Sequence, residues 1–357
     1  MAEKLVSASR VVVARFRRQR PLRAGSLIVT VLGDSIAPRG GAITLGSLIR
    51  LAQPFGVTER LVRTSVGRLA QDKWLESQRS GRQSEYRLTE EGRTRFAEAT
   101  QRIYADSPRD WDGSWTLLWL PETARAHRQR IRDELQWLGF GQVSAGMFAH
   151  PTRSIDETRA RLAKLNGSEV IVLLRGTDAN KRGNHELVKA GWDLSDLGRR
   201  YSQFVASFTP VLEGAVEQRD ALAANGTGRF HESDAIPRAG SAGPGSKPRP
   251  RRAGASSGEV KRSTGGGESL SWETAFVVRT LLIHEYRKIH LRDPLLPRAL
   301  LPDDWVGTQA YELCRDLYRL LFQSAEQHVA QFAETLAGPL APVSQATLRR
   351  FGGIHAE

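Results

Sequence analysis

The N-terminal part of the chain carries apolar side chains first at helical and then at alternating spacing. Residues 22–36 predict one helix, and residues 44–56 predict a second helix with Thr44 as its N-cap. Residues 58–74 predict a third helix, and residues 75–88 alternate in the manner of a β-hairpin. The order is that of a helix-turn-helix followed by a hairpin, with a further helix to close the unit.

The third predicted helix has two unlike faces. Its apolar residues Leu61, Val62, Val66 and Leu69 fall within about one third of the circumference at roughly 100° per residue. The opposite face and its edge carry Arg60, Arg63, Thr64, Gly67, Arg68 and Gln71. Arginine pairs with guanine, glutamine with adenine, and threonine with phosphate or the thymine methyl group. The glycine leaves the backbone free to approach a groove.

The hairpin adds Arg79 and Arg82 near its tip. A single basic helix is equally well explained as an ordinary solvated surface. A helix-turn-helix followed directly by a basic hairpin is instead typical of a winged helix, whose third helix enters the major groove while the wing lies on the backbone or in the minor groove. We therefore predict a DNA-binding domain, in which Trp74 and Tyr86 pack the base of the hairpin.

The middle of the chain has a different pattern of predicted secondary structure. Residues 113–175 predict strand, helix, strand, helix and strand, and the second helix opens with a capping box of Ser154 and Glu157. The last strand, within residues 169–176, is almost continuously apolar and is predicted to be buried. This order in about sixty residues indicates a small ferredoxin-like domain, with a sheet on one side and helices on the other.

Helical spacing returns after residue 192 and is interrupted once. Phe204 and Phe208 are expected to point inward, and Pro210 is expected to bend or break the helix. Gly, Ser, Pro and charged residues then dominate residues 219–269, which predicts a disordered basic insertion. Because helical spacing resumes beyond the insertion, the segments on its two sides are expected to pack together.

The predicted fold class is α+β, with a winged helix-turn-helix, a ferredoxin-like domain and a C-terminal helical domain. The predicted organisation is a basic N-terminal tail (1–21), the winged helix (22–105), the ferredoxin-like domain (111–176), a helical domain in two segments (192–218 and 270–338) and the insertion (219–269). For the arginines before the first helix, Arg15, Arg17, Arg18, Arg20 and Arg23, a solvated disordered tail is favoured over an ordered basic arm.

Charge is distributed unevenly over these parts. The 357 residues include 52 Lys and Arg against 39 Asp and Glu, which gives a formal charge of +13. Residues 1–103 hold 19 basic and 9 acidic residues, and residues 219–268 hold 9 and 5. The rest is close to neutral, so one part of the chain is expected to contact a polyanion while the others do something else.

Other residue types exclude several classes of protein. The single cysteine, Cys314, rules out an intramolecular disulfide and a cysteine-cluster metal site, and we expect it to be a buried thiol on a helix. No apolar run approaches the ~18 residues that span a bilayer, and the basic N-terminus lacks the apolar core of a signal peptide. The expected location is the cytoplasm.

The chain resembles the PaaX family of transcriptional repressors of aromatic-acid catabolism. The resemblance rests on GSLIVTVLGDSIAPRGG, RLVRTSVGRLAQDKWL and GRQSEYRLTEEG near the N-terminus, and on HEYRKIHLRDPLLPRALLPDDWVG near the C-terminus. It implies a central Cas2-like ferredoxin domain, a homodimer on operator DNA, and release by a coenzyme A thioester such as phenylacetyl-CoA. The insertion departs from what we expect of the family.

An effector site is predicted near the most specific of these motifs. Six side chains there combine cations, which suit phosphates, with aromatic rings, which suit an aryl group. They are His284, Tyr286, Arg287, Lys288, Arg292 and Trp305. For any one of them taken singly, a structural explanation, as a core aromatic or as part of a helix end, is favoured.

An enzyme is the alternative, namely a Cas2-like metal-dependent nuclease. Such a site needs carboxylates that converge on a cation, but the first strand of the middle unit ends in apolar residues and Asp112 precedes it. The sequence has no HExxH motif and no P-loop. We therefore predict a protein without catalytic or metal-binding residues and without a cofactor. Alternatives are a regulator that responds to a free aromatic acid, and an architectural DNA-binding protein.

Overall fold

The computed structural model describes residues 2–19, 22–105, 110–122, 127–166, 168–178, 183–224 and 271–354. The chain combines helices with antiparallel sheets. Most of the predicted insertion, from residue 225 to residue 269, lies outside the described residues. Its first part, residues 219–224, continues a helix, so the boundary predicted at residue 219 is too early.

The predicted N-terminal tail is an ordered helix instead. Helix α1 spans Ala2–Arg17, and its residues Leu5, Val12 and Phe16 are buried. They recur along one side of the helix and pack against the C-terminal helices. The prediction of a solvated tail was wrong because the short apolar stripe lies among arginines, and its partner helix is about two hundred residues away in the sequence.

The next elements follow in the order that the sequence predicts. Helix α2 (Ala24–Val31) runs into a π-helical turn at Leu32–Ile36. After it come β1 (Ala42–Thr44), α3 (Leu45–Ala52), α4 (Glu59–Gln71), β2 (Leu75–Ser80), β3 (Gln83–Leu88) and α5 (Glu90–Tyr104). The Thr44 hydroxyl accepts a hydrogen bond from Ser47 N, which confirms the predicted N-cap. Strand β1 was not predicted; it pairs with β3 to widen the hairpin into a three-stranded sheet.

The central unit is a four-stranded antiparallel sheet with the order β5-β6-β4-β7. Its elements are β4 (Ser114–Trp119), α6 (Arg128–Trp137), β5 (Gly141–Ser144), β6 (Met147–His150), α7 (Ile155–Leu162), β7 (Val172–Thr177) and α8 (Gly183–Gly191). The single middle strand predicted from the sequence is a tight hairpin, because Gly146 adopts a positive φ of 78° between β5 and β6. The resulting β-α-β-β-α-β order is that of a ferredoxin-like domain.

Among the described strands, β7 lies at the edge of this sheet and pairs with β4. The prediction that it is buried was wrong, since Val172 and Leu174 are exposed, Leu174 by 51%. Trp119, which is opposite Val172 in the register, is 47% exposed. A continuous apolar run predicts that a segment is buried. It does not show whether the segment is buried against its own chain or against another molecule.

Three long helices form the C-terminal domain: α9 (Leu194–Ala224), α10 (Trp272–His290) and α11 (Val306–Phe332). Phe204 and Phe208 are buried as predicted, and α9 continues through Pro210 without ending there. Cys314 is buried on α11 as predicted. Beyond α11 the chain forms the short strands β8 (Glu334–Thr335) and β9 (Gly338–Pro339), followed by α12 (Gln345–Leu348).

A buried ion cluster connects the N-terminal unit to this helical domain. The Asp34 carboxylate lies 2.9 Å from Arg350 and 3.3 Å from Arg279. It also accepts hydrogen bonds from the hydroxyls of Tyr104 (2.7 Å) and Tyr318 (3.0 Å). Because every partner comes from a different element, the cluster fixes the π-helical turn against α5, α10, α11 and the C-terminal segment.

Candidate nucleic-acid interface

Helix α4 rests on the N-terminal unit through its apolar side. Val62, Val66 and Leu69 are buried as predicted, and Thr58 is the N-cap of the helix, with its hydroxyl accepting from Leu61 N. Leu61 was assigned to the same apolar face, but it is 36% exposed. It lies at the border of the buried stripe, where Ser65 takes the inward position.

The other side of α4 faces solvent. Side chains of Arg60, Arg63, Thr64, Arg68 and Gln71 are exposed, and Gly67 is half-buried. A Cβ added at Gly67 would meet no atom within 4 Å, so packing inside the protein does not require glycine there. The structure therefore leaves this face open, as the sequence predicts, and places the glycine at its centre.

Electrostatic pairing within this face is incomplete. Glu59 accepts from Arg63 at 2.8 Å, an exposed i,i+4 pair at the start of the helix. Within the described part of the chain, Arg60 and Arg68 form no ion pair. The Thr64 hydroxyl donates to Arg60 O at 2.9 Å and keeps lone pairs for a further donor. The face thus presents uncompensated positive charge.

The base of the hairpin beside α4 packs against the core of the N-terminal unit. Arg79 and Arg82 are exposed on either side of Gly81, whose positive φ of 56° makes the turn. Trp74 packs edge-on against Phe96 with 5.8 Å between ring centroids. As predicted, Trp74 is a packing residue, and Tyr86 packs partly buried on the same core.

The segment that follows α11 contacts α3 and β3 of the N-terminal unit, which the sequence did not indicate. Glu85, buried on β3, accepts from Leu336 N at 2.7 Å. Arg50 on α3 forms an ion pair of 3.0 Å with Glu334, and Glu334 N donates to the Ser47 hydroxyl. Helix α3 and the hairpin are therefore held by the chain that follows α11.

The six predicted effector residues do not gather in one place. His284 and Tyr286 are fully buried inside the helical domain. Burial, followed by the charges of Arg287 and Lys288, lowers the pKa of His284 to about 3. The imidazole is therefore neutral at physiological pH, where it cannot supply a positive charge to a phosphate.

Of the other four predicted effector residues, three pair with other side chains or lie elsewhere in the structure. Arg287 donates to Thr30 (2.8 Å) and to Ser26 O (2.6 Å), which ties α10 to α2. Arg292 is exposed beyond the end of α10, and the ring of Trp305 packs against Tyr201. Lys288 lines a half-open cavity between α1, α9 and α10. The structure gives no support to a site made of all six.

Asp112 has a structural role beside the central sheet. It accepts hydrogen bonds from the Ser114 hydroxyl (2.6 Å) and Ser114 N (2.9 Å), and it pairs with Arg175 at 2.7 Å. The two bonds from Ser114, followed by that from Arg175, lower the pKa of Asp112 to about 2. In the part of the chain that the structure describes, no three His, Cys, Asp or Glu side chains meet in a way that could hold a metal.

No helix in the described ranges has the length and apolar character needed to cross a membrane.

Comparison with known proteins gives concordant results along the chain. Residues 23–92 match the sequence model described as "PaaX-like protein", residues 108–188 match "PaaX protein central Cas2-like domain", and residues 255–331 match "PaaX-like protein C-terminal domain". The chain is 28% identical to "Transcriptional repressor PaaX" of Escherichia coli strain K12 over 340 residues, which covers 94% of this chain and 92% of that protein.

A solved structure, "Uncharacterized protein Rv0674 from Mycobacterium tuberculosis", is 19% identical, with 79% of this chain and 90% of that chain covered at a TM-score of 0.40.

Proposed function

Because this chain belongs to the PaaX family, we propose that it is a DNA-binding transcriptional repressor of aromatic-acid catabolic genes of the phenylacetate type. An aryl-CoA thioester such as phenylacetyl-CoA releases it from its operator. The E. coli relative carries the name of a transcriptional repressor, which favours a regulator over the nuclease alternative.

The observation that carries the proposal is the open basic face of α4 beside the exposed hairpin arginines. In a winged helix, α4 is the recognition helix and β2–β3 is the wing. Arg60, Arg68, Arg79 and Arg82 form no ion pair with the rest of the described chain. Unpaired arginines are available for phosphates and for guanine edges, and the buried apolar side fixes the helix that presents them.

The variants Arg63→Ala and Arg68→Ala test the recognition helix. Each removes an exposed side chain, so we expect an unchanged melting temperature and a loss of roughly 1–3 kcal/mol in operator affinity. Binding is measured by fluorescence anisotropy with DNA from upstream of the protein's own gene. The matched control is Arg159→Ala, which removes an exposed arginine from α7. Wild-type affinity in both α4 variants would remove α4 from the interface.

Release by a thioester follows from linkage between two ligands. An effector lowers DNA affinity only by binding more tightly to the free protein than to the DNA-bound protein. The choice of an aryl-CoA thioester rests on family membership. A free aromatic acid is the alternative effector, and it would need a smaller pocket with a cation for its carboxylate.

A homodimer is the assembly that we propose, with the edge of the central sheet as its contact. Trp119, Val172 and Leu174 leave apolar surface exposed along β4 and β7, and an apolar edge strand is a ready partner for a second copy. Two-fold symmetry also doubles the base pairs that one recognition helix can contact.

The variant Leu174→Glu tests this contact. A carboxylate at the centre of an apolar interface loses its hydration, so we expect at least a tenfold weaker dimer in analytical ultracentrifugation. The matched control is Gln136→Glu, which adds the same charge at an exposed position on α6. A dimer of wild-type strength in the Leu174→Glu variant would locate the interface elsewhere.

A further inference from the structure

Helices α1, α9 and α10 line a half-open cavity of about 1020 Å³ that no sequence pattern indicated. Its inner wall is apolar and includes Phe16, Phe204, Phe208 and Leu281. At its mouth Val11 is 66% exposed, although valine gains free energy from burial. The volume lies at the upper end of the range for small-molecule sites, about 300–1,000 Å³.

The rim of this cavity is strongly basic. Among the described residues that line it are four cations, Arg15, Arg23, Arg200 and Lys288, and one carboxylate, that of Glu285. Arg200 also lies 3.8 Å from the Asp196 carboxylate. The Glu285 carboxylate is already paired with Lys288 at 3.0 Å. Arg23 has no carboxylate within ion-pair distance among the described residues. An apolar interior with a cationic entrance suits a ligand that carries an apolar group at one end and several negative charges at the other.

We propose that the cavity between α1, α9 and α10 binds an anionic ligand with an apolar end, of the acyl-coenzyme A class, and that α1 transmits its binding to the turn before α4. The proposal rests on the proposed function, since it places the effector of the repressor. The acyl group occupies the apolar interior, and the phosphates lie at the rim beside Arg15, Arg23, Arg200 and Lys288.

Helix α1 is the wall of the cavity that can transmit this event. The Arg15 guanidinium donates to the Ser207 hydroxyl on α9 and so bridges the two helices. A phosphate at the rim competes for the same guanidinium. Binding therefore replaces a contact that holds α1 against α9 by one to the ligand.

The far end of α1 contacts the turn before the recognition helix. Phe16, which lines the cavity, packs edge-on against Phe55 with 6.3 Å between ring centroids. The Arg17 guanidinium donates to Pro54 O. Both partners belong to the 3-10 turn Gln53–Phe55, which Gly56 and the N-cap Thr58 connect to α4. A shift of α1 thus reaches α4 through direct packing.

A variant that fills the cavity tests the site. Ala206 lines it at an exposed position on α9, and Ala206→Trp places an indole there. The matched control is Ala330→Trp, at an exposed position on α11 outside the cavity lining. In calorimetry on the full chain with phenylacetyl-CoA, we expect wild type and the control to bind one molecule per chain, and Ala206→Trp to bind at least tenfold more weakly at an unchanged melting temperature. Equal binding by all three overturns the site.

A second probe separates this inference from the identity of the effector. Anilinonaphthalene sulfonate has an apolar body and a negative charge, and its fluorescence reports binding. If wild type binds no thioester, the proposed identity of the effector is contradicted. Binding of the fluorescent probe still tests the cavity as a ligand site. Saturable binding of the probe to wild type and its loss in Ala206→Trp support the site. Absence of saturable probe binding, or equal binding in both proteins, overturns it.

The transmission step has its own variant. Phe55→Leu changes the contact with α1 at a residue outside the cavity lining. We expect the thioester affinity of this variant to be within about threefold of wild type. The thioester should lower the DNA affinity of the variant by roughly tenfold or less, a smaller factor than in wild type. Undiminished release of DNA in this variant overturns transmission through the turn.

Discussion

The variant Asp34→Ala is expected to lose about 3–5 kcal/mol of unfolding free energy, the range for removing one partner of a buried charged pair. The Asp34 carboxylate is almost fully buried, and the two guanidinium groups beside it are no more than 3% exposed. Its removal leaves Arg279 and Arg350 near each other with less negative charge to offset them. Arg279 retains Glu326 at 2.6 Å, whereas within the described residues Arg350 retains only the Tyr318 hydroxyl and the carbonyls of Gly33 and residue 34 as hydrogen-bond partners.

Chemical denaturation followed by circular dichroism measures this loss. The control is Asp316→Ala, which removes a half-exposed carboxylate paired with its neighbour Arg315. Such a surface pair contributes about 0–1 kcal/mol. A loss below 1 kcal/mol for Asp34→Ala would show that the cluster does not hold the two domains together.

The same carboxylate makes stability dependent on pH. Burial alone would raise the pKa of Asp34, but the charges of Arg279 and Arg350 outweigh it and the net pKa is below the ordinary value. Because the folded state binds this proton more weakly than the unfolded chain, the contribution of Asp34 is complete above the unfolded pKa of about 3.9. It is lost as the pH falls through the lower pKa of the folded state.

The variant Phe55→Ala is expected to lose about 3–5 kcal/mol, the range for a buried phenylalanine. The ring is fully buried between Phe16 of α1 and Phe276 of α10, with centroid distances of 6.3 and 5.9 Å. A cavity there also frees the turn that orients α4. We therefore expect weaker DNA binding in addition to lower stability, which distinguishes this variant from one in the central sheet.

Thermal and chemical denaturation measure the loss, and anisotropy with operator DNA at a temperature where the variant is folded measures the second effect. The control is Val170→Ala, at a side chain that is 41% exposed. It should change the unfolding free energy and the DNA-binding free energy by less than about 0.5 kcal/mol each. Full stability in Phe55→Ala would contradict the packing of α1 and α10 on the turn.

Local signals in the sequence located much of the N-terminal unit. The predicted N-cap Thr44 accepts from a backbone N–H three residues ahead, as Thr58 and Thr89 do at the following helices, and Gly81 closes the predicted hairpin. These features depend on neighbouring residues alone. The open face of α4 was predictable for the same reason, because helical geometry fixes which residues share a side.

Features that need distant partners escaped prediction. In the sequence, Asp34 has the features of an ordinary polar residue before a turn. Its partners Tyr318 and Arg350 lie 284 and 316 positions away along the chain. The side chains of Arg287 and His284 suggested a phosphate site, but Ser26 and Thr30 of the N-terminal unit occupy the same region. The sequence predicts Arg15 as part of a basic tail, although its spacing from Val12 and Phe16 is helical.

The effect of phenylacetyl-CoA on a preformed complex with upstream DNA tests the central claim most directly. Fluorescence anisotropy at fixed salt, with free coenzyme A and phenylacetate as controls, gives the DNA affinity in each case. The account predicts a 5- to 150-fold lower affinity with the thioester, which corresponds to a coupling of roughly 1–3 kcal/mol, and no change with either control. Unchanged DNA affinity at saturating thioester, or release by phenylacetate alone, would contradict it.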